Sequence, residues 1–427
     1  MERITSHSSK HSEDINKALQ WQPKPLRTRK RNETIMRTLM LIALYCTISF
    51  LFILAGSIIN NAFGYVLFTY EIHPTEFSQG GEINELSHAK KIAILKENLR
   101  ERVYITLDRK KPMEKRSSQD LSAIIFSRVL KASVLEAYSL FESLFQRGQL
   151  IENALTYPNA DLIFRSWISP RFIRGEQSTN PLESGIWGAI TGSVGVILVT
   201  ILFSFPLGIG TAVYLCEYMP RSRWKNLLQI NIYNLSGVPS IIYGLLGLVV
   251  FVRVFLPITS GQLFGFTSGA ATDSGRTILS AGLTLTLLIL PVIVINTQEA
   301  ILSVPTYIKQ ASYGLGATKW QTVWHHIIPY CIGRILTGTI LSVSRAIGET
   351  APLVVVGAST FLTIVPNSIF SKYTTLPIQI YQWSARPQQE FQNLAAGAIL
   401  VLLTIMLTLN FIAIMYRKRV QKKLARL

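Results

Sequence analysis

Apolar residues in this chain gather into long runs, and the polar residues between them are clustered rather than interleaved. A helix crosses the hydrocarbon core of a bilayer with about 20 apolar residues. Six runs reach or approach that length: Thr38–Ile59, Trp187–Cys216, Leu228–Leu256, Ile278–Thr297, Ile327–Gly357 and Leu394–Tyr416. The third is the least regular, because Asn231, Asn234, Gly237 and Pro239 interrupt it. Shorter apolar runs within Leu121–Leu144 carry Arg128, Lys131, Glu136 and Glu142 and are not expected to span. Residues 82–107 and 118–147 place charged and apolar positions at helical spacing on either side of the polar turn DRKKPMEKRSS. The pattern predicts an all-α polytopic membrane protein of six transmembrane helices, with a small helical insertion after the first.

Charge and composition agree with a membrane chain. Soluble domains carry about 25% charged residues; this chain carries 15% and is 49% hydrophobic. Its net charge of +18 raises nucleic acid as a partner, and the distribution of that charge argues against it. With both ends inside, the inner segments 1–37, 217–227, 300–326 and 417–427 hold 20 Lys and Arg against 5 Asp and Glu. The short outer loops 257–277 and 358–393 hold 3 against 2. This is the positive-inside bias of an inner-membrane protein. It divides the chain into a cytoplasmic basic tail (1–37), a first anchor (38–59), an extracytoplasmic insertion (60–186), a membrane core (187–416) with an inner loop at 300–326, and a second basic tail (417–427) against the anionic inner leaflet.

Long loops translocate regardless of charge, so the 16 basic and 15 acidic residues of 60–186 do not oppose an outer location. The first run follows a basic flank, as a signal peptide would. It is long, lies far from Met1 and is followed by NNAFG instead of a small-residue cleavage site, so a retained anchor is expected. Cys46, Cys216 and Cys331 lie in or beside apolar runs without paired spacing and read as small hydrophobes. His325 and His326 have no carboxylate or cysteine cluster near them in sequence, so neither a metal nor a cofactor is expected. Glu217, beside Arg221 and Arg223, reads as an interface or loop residue.

The stretch QASYGLGATKWQTVWHHIIP, Gln310 to Pro329, lies in the inner loop between the fourth and fifth runs. Ala311, Leu315, Thr318 and Val323 give a partly apolar face, Gly314 and Gly316 break the helix, and Pro329 starts the next span. A short helix, a glycine turn and a second helix make a compact protrusion able to transmit force. The stretch resembles the EAA loop of ABC-importer permeases. Gln310, Ala311 and Ser312 stand at the first three positions of that motif, Gly316 at its glycine, Ile328 at its leucine and Pro329 at its proline. Gln310 replaces the usual glutamate and His326 the usual isoleucine. The resemblance implies docking on a separate ATP-binding subunit. The chain itself has no Gly-x-x-x-x-Gly-Lys-Ser/Thr phosphate loop, since the lysine of GLGATKW is followed by tryptophan, and ATP hydrolysis by this chain is not expected.

In SRAIGETAP, Arg345 and Glu349 are four residues apart, which makes them neighbours on a helix. Arg345 lies 16 residues past Pro329, roughly 24 Å along a helix axis and so within the hydrocarbon zone. An arginine there costs about 2.5–3.5 kcal/mol on insertion scales, and its planar fork of donors suits oxyanions. Either the pair meets an anion in transit, with Glu349 holding the guanidinium and tempering its attraction, or it is a self-contained ion pair that fixes packing. In NLSGVPSIIYG, Gly237 and Pro239 interrupt a span, as happens where backbone lines a cavity. Asn234, Ser240 and Tyr243 could meet a passing oxyanion there; the other reading is a proline kink with glycine packing.

RAIGETAPL, PLGIGTAVYLCEYMP, NLSGVPSIIYGLLGL and NPLESGIWGAITGS together resemble phosphate ABC-importer permeases of the PstA type, over roughly 160–416 and the first run. The resemblance implies a type I ABC-importer permease (MetI-like) fold and a heterodimer with a second phosphate permease. It also implies a cytosolic ATP-binding subunit dimer and an extracytoplasmic phosphate-binding protein as partners. The insertion is longer than that family leads one to expect. Competing readings are a permease for another oxyanion such as molybdate or sulfate, and a membrane-anchored signalling or assembly protein acting through 60–186. A membrane enzyme is disfavoured, because no nucleophile–base set appears at a suitable depth.

Overall fold

A computed structural model describes residues 26–70, 86–110, 112–130, 133–157, 160–265, 274–359, 361–362 and 365–424. Residues 1–25 of the expected basic tail, residues 82–85 of the first insertion helix, the middle of the loop 257–277 and residues 425–427 lie outside them.

The chain forms two compact units, Met1–Ser57 and Ile58–Leu427. The first holds most of helix α1 (Leu26–Ala62). Its residues from Lys30 to Ser57 are all exposed, including Phe50, Phe52 and Ile53. A helix apolar on every side is stable only with an apolar surround, here lipid or other membrane protein.

The second unit begins with the insertion. Strand β1 (Phe63–Thr69) leaves the end of α1 directly. Helices α2 (His88–Asn98), α3 (Glu101–Lys110) and α4 (Ser118–Ile124) follow, then β2 (Ser133–Ala137), α5 (Leu140–Phe145), α6 (Arg147–Thr156), β3 (Ala160–Ser166) and α7 (Pro170–Arg174). The strands make one antiparallel sheet of order β2-β1-β3, with Val66 opposite both Ala137 and Ile163 and an irregularity between Leu67 and Phe68. The insertion is therefore a mixed layer of helices on a small sheet, where the sequence pattern predicts helices alone. FGYVLFT lies in the insertion ahead of the first predicted helix, where the pattern predicts no element, and SVLEA sits inside a segment with helical spacing. Pairing with partners some 70 to 100 residues away makes strands of both. Short helices α2, α4, α5 and α7 start on serine N-caps, Ser87, Ser117, Ser139 and Ser169, each accepting a backbone N–H of the first turn.

The membrane part holds α8 (Trp187–Val213), α9 (Arg223–Ser236), α10 (Ser240–Gly247), the short α11 (Leu256–Thr259) and α12 (Ile278–Leu302). Next come α13 (Thr306–Gly314), α14 (Lys319–Thr322), α15 (Ile328–Gly348), α16 (Ala351–Val356), α17 (Leu376–Ser384) and α18 (Gln389–Leu424). Among the described residues five helices are long and apolar enough to cross a membrane, and the bent pair Arg223–Ser236 and Ser240–Val254 brings the count to six when its halves are taken as one span. The bend is 104° and falls at Gly237–Pro239. Proline there lacks an N–H, and it also drives Val238 out of helical backbone. α12 is the central helix, with 72% of its apolar window buried, and it packs most extensively on α8 and then on α15.

Three boundaries in the last two long helices differ from the sequence pattern. The fifth helix begins at Lys319 and runs through Pro329: a π-helical turn over Val323–Ile327, with Ile328 N–H bonding Val323 O, absorbs the proline's missing donor. It also ends at Gly348 instead of continuing to Gly357. Glu349 is extended (φ −76°, ψ 119°) and Pro352 opens the separate α16. The last helix likewise runs past the expected Tyr416 to Leu424.

Candidate functional site

The inner hairpin is built from local signals that the sequence displays. α13 ends in a left-handed Gly316 (φ +83°), with Ala317 N–H bonding Ser312 O and Gly316 N–H bonding Tyr313 O. This is the Schellman arrangement, which satisfies carbonyls that a helix end leaves open. Thr318 then caps α14 in a reciprocal capping box with Gln321. Ser312 and Thr322, both buried, join the two helices through their hydroxyls at 2.8 Å. Gln310, Ala311 and Gly314 are exposed, and Leu315 at the tip is 91% exposed. Gly314 is ordinary helix, so the turn depends on Gly316 alone.

Two features of this hairpin escaped the sequence reading. Trp320 and Trp324 stack on its exposed side, centroids 5.6 Å apart, a pairing that their spacing of four could have announced. Lys309 forms an ion pair with Glu217 (Nζ–Oε1 2.5 Å), tying α13 to the end of the α8 span. Neither side chain is more than 20% exposed, and only the fold brings residues 92 positions apart together.

Arg345 and Glu349 are brought together, Nε to Oε1 at 3.6 Å, with Arg345 59% and Glu349 19% exposed. They do not share a helix face as the spacing suggests. Arg345 lies in the last turn of α15, and Glu349 is the extended residue that ends it. Arg345 continues a stripe of exposed residues, Tyr330, Arg334 and Leu341, along one side of α15. The other sides are occupied: Ser344 donates to Asn410 Oδ1 of α18 (2.6 Å), and Thr337 accepts from Arg417 (2.7 Å). The guanidinium thus stands on the outside of this subunit, at a point where a membrane helix breaks.

Asn234, Ser240 and Tyr243 flank the other break. Asn234 is exposed on α9, Ser240 is half-buried as the first residue of α10, and Tyr243 is buried. Tyr243 donates its hydroxyl to the carbonyl of Leu235 (2.7 Å), so it ties the two halves of the bend together. No hydrogen bond or ion pair links Arg345 or Glu349 to Asn234, Ser240 or Tyr243. The two breaks are instead connected through backbone. α10 lies on α16, and Gly244 comes so close that a Cβ there would stand 2.7 Å from Pro352 Cα.

A multi-pass helical core, an exposed helical hairpin at one end of it and a charged break in one span are the architecture of a membrane permease. Residues 204–426 match the family described as binding-protein-dependent transport system inner membrane component, and the chain belongs to that family. It is 32% identical over 273 residues to the probable ABC transporter permease protein YqgI of Bacillus subtilis, covering 61% of this chain and 86% of the relative. It is equally similar, 32% over 265 residues, to the phosphate transport system permease protein PstC of Pasteurella multocida (57% of this chain, 78% of the relative). The phosphate transport system permease protein PstA 1 of Mycobacterium tuberculosis matches at 32% over 235 residues, 55% of this chain and 70% of its own length.

Proposed function

We propose that this chain is one of the two permease subunits of an ATP-driven inorganic phosphate importer of the inner membrane. The phosphate assignment draws on relatives named for phosphate transport. The observation that carries it is Arg345: a guanidinium on the outer face of a membrane helix, beside a break, with a single carboxylate neighbour only partly neutralising it. Facing lipid, that group would cost about 2.5–3.5 kcal/mol. Facing a second permease subunit across a polar path, it offers a fork of donors to an oxyanion. Glu349 orients the guanidinium and keeps it from holding the anion too tightly. Asn234 and Ser240 are secondary contacts on the neighbouring bent span.

The partners follow from the same reading. A second phosphate permease completes the path, and an extracytoplasmic phosphate-binding protein delivers the anion. A cytosolic ATP-binding subunit dimer hydrolyses ATP, with the hairpin at Gln310, Ala311, Ser312, Gly316 and Pro329 seated on it. Both termini are then cytoplasmic, the hairpin is cytoplasmic, and the insertion is outside.

The test is uptake in proteoliposomes holding the complete complex. Labelled phosphate should accumulate on ATP addition, and Arg345→Gln should lower that uptake at least tenfold while the variant still inserts and co-purifies with the ATPase. Undiminished uptake by the variant overturns the role of Arg345. Preferential uptake of molybdate or sulfate in a panel of oxyanions overturns the phosphate assignment.

A further inference from the structure

The large apolar side chains that the insertion leaves uncovered concentrate on α5 and α6. α5 exposes Phe141, Leu144 and Phe145, spaced i, i+3, i+4 on one face; α6 exposes Ile151 and Leu155, and Tyr157 follows. Phe145 is 73% and Leu155 83% exposed, values for side chains with no protein over them. The rings of Phe141 and Phe145 pack on each other with centroids 4.6 Å apart. The opposite side of α5 is committed inward: Ser143 is buried, and its Oγ accepts Tyr65 N–H of the central strand at 2.8 Å. The apolar face therefore cannot turn into the insertion's own core. Scattered apolar residues on a surface need no explanation, but a cluster of this kind marks a contact with something apolar.

Two hydrogen bonds fix where that cluster stands. Asn60, two residues before α1 ends, accepts Phe141 N–H on its Oδ1 (2.7 Å). Gln389, the first residue of α18, donates Nε2–H to Ala137 O (2.9 Å), three residues before α5 begins. Both helices are long and apolar enough to cross a membrane, over Lys30–Ala62 and Gln389–Lys422. The segment 137–145 is thus held within a side chain's reach of two points where the chain meets the membrane.

We infer that α5 and α6 form an interfacial anchor, which seats Phe141, Leu144, Phe145, Ile151, Leu155 and Tyr157 among phospholipids of the leaflet on the insertion's side. Short helices with one apolar face lie in the plane of a bilayer, buried about 5–10 Å into the boundary between headgroups and acyl chains. Aromatic rings favour that level. Arg147 and Glu152 on α6 are exposed and can stay in water, while Glu142 is half-buried with its carboxylate accepting from Ser139. A face for a soluble partner would be held away from the bilayer, whereas both tethers hold this one beside it. The inference rests on the chain's membrane-spanning class and is independent of which solute it carries.

The test uses the full chain with Cys46→Ala, Cys216→Ala and Cys331→Ala, carrying one nitroxide at Leu144→Cys, at Leu155→Cys or, as a control, at the exposed Glu97→Cys of α2. The protein is reconstituted in phosphatidylcholine–phosphatidylglycerol liposomes, and collision rates with oxygen and with a water-soluble nickel chelate are read by power-saturation electron paramagnetic resonance. Positions 144 and 155 should meet oxygen several-fold more readily than the chelate, and position 97 should show the reverse. Chelate access at 144 and 155 equal to that at 97 overturns the anchor, and so does exclusion of both reagents, which indicates a protein cover. Should labelling impair insertion, the unlabelled chain in vesicles with a photoactivatable phospholipid decides the matter. Cross-links within 141–157 support the anchor; cross-links confined to the spans overturn it.

Discussion

Gly316 and Gly314 look alike in the sequence and differ in what they do. Only Gly316 has positive φ, and open space surrounds the site where its Cβ would be. A substitution there is opposed by backbone conformation alone, at about 1–2 kcal/mol for an ordinary L residue. β-Branched residues fare worse in that region, and asparagine is tolerated. Gly316→Val is therefore expected to loosen the hairpin and uncouple ATP hydrolysis from uptake. Gly316→Asn should retain most coupling, and Gly314→Ala should be silent. ATPase rate per anion transported, measured on the three variants, checks this ordering. Equal coupling in Gly316→Val and the native chain would remove the hairpin from the force path. At this scale much was legible, because glycine at a helix end and Thr-x-x-Gln after it are local signals with local causes. Tyr243 was not. A tyrosine in a polar-interrupted span offers the same hydroxyl to an anion or to a backbone carbonyl, and only the 104° bend brings Leu235 within its reach.

Two spans are broken, and each break is followed by a short helix that rests on the other. α10 follows Gly237–Pro239, α16 follows Glu349–Thr350, and Gly244 meets Pro352 at their crossing. A shift at one break is then passed to the other by contact, which gives the carboxylate neighbour of Arg345 a mechanical link to the bent span. Gly244→Val should force this crossing apart. Overpacking of this kind costs about 1–3 kcal/mol, and the variant should melt earlier than the native chain in detergent. Gly210→Ala in α8, where a Cβ meets nothing within 4 Å, is the matched control and should melt with the native chain. The breaks themselves were visible as Gly and Pro within apolar runs. Their consequences were less so: the pair Arg345–Glu349 survives as a contact even though the helix that predicted it stops at Gly348. The sheet of the insertion was invisible, because β1 borrows its stability from β2 and β3, and no local window holds that information.

At the scale of the molecule, the insertion and the membrane core share one interior. Met113, Leu121 and Ile125 of the insertion belong to the same buried cluster as Ile186, Ala189, Leu376, Trp383, Phe391 and Leu394 from the ends of the spans. Phe172 and Trp383 pack with centroids 6.0 Å apart, and Phe391 lies 6.4 Å from Trp383. The insertion is therefore not a module hung on a finished permease, and removing it would uncover the ends of α8, α17 and α18 that share its interior. A deletion that abolishes transport would say little about whether the insertion signals or binds anything. A point change in the shared interior is more informative. Leu121→Ala, at a fully buried site in α4, should cost about 2–5 kcal/mol. Because Leu121 touches an interior common to both parts, that loss should appear as protease cleavage within 376–398 as well as within 88–157. Arg345→Gln, on an exposed face, should leave both regions protected. Cleavage confined to 88–157 in Leu121→Ala would mean that the two parts melt separately, and that the insertion covers the permease without holding it together.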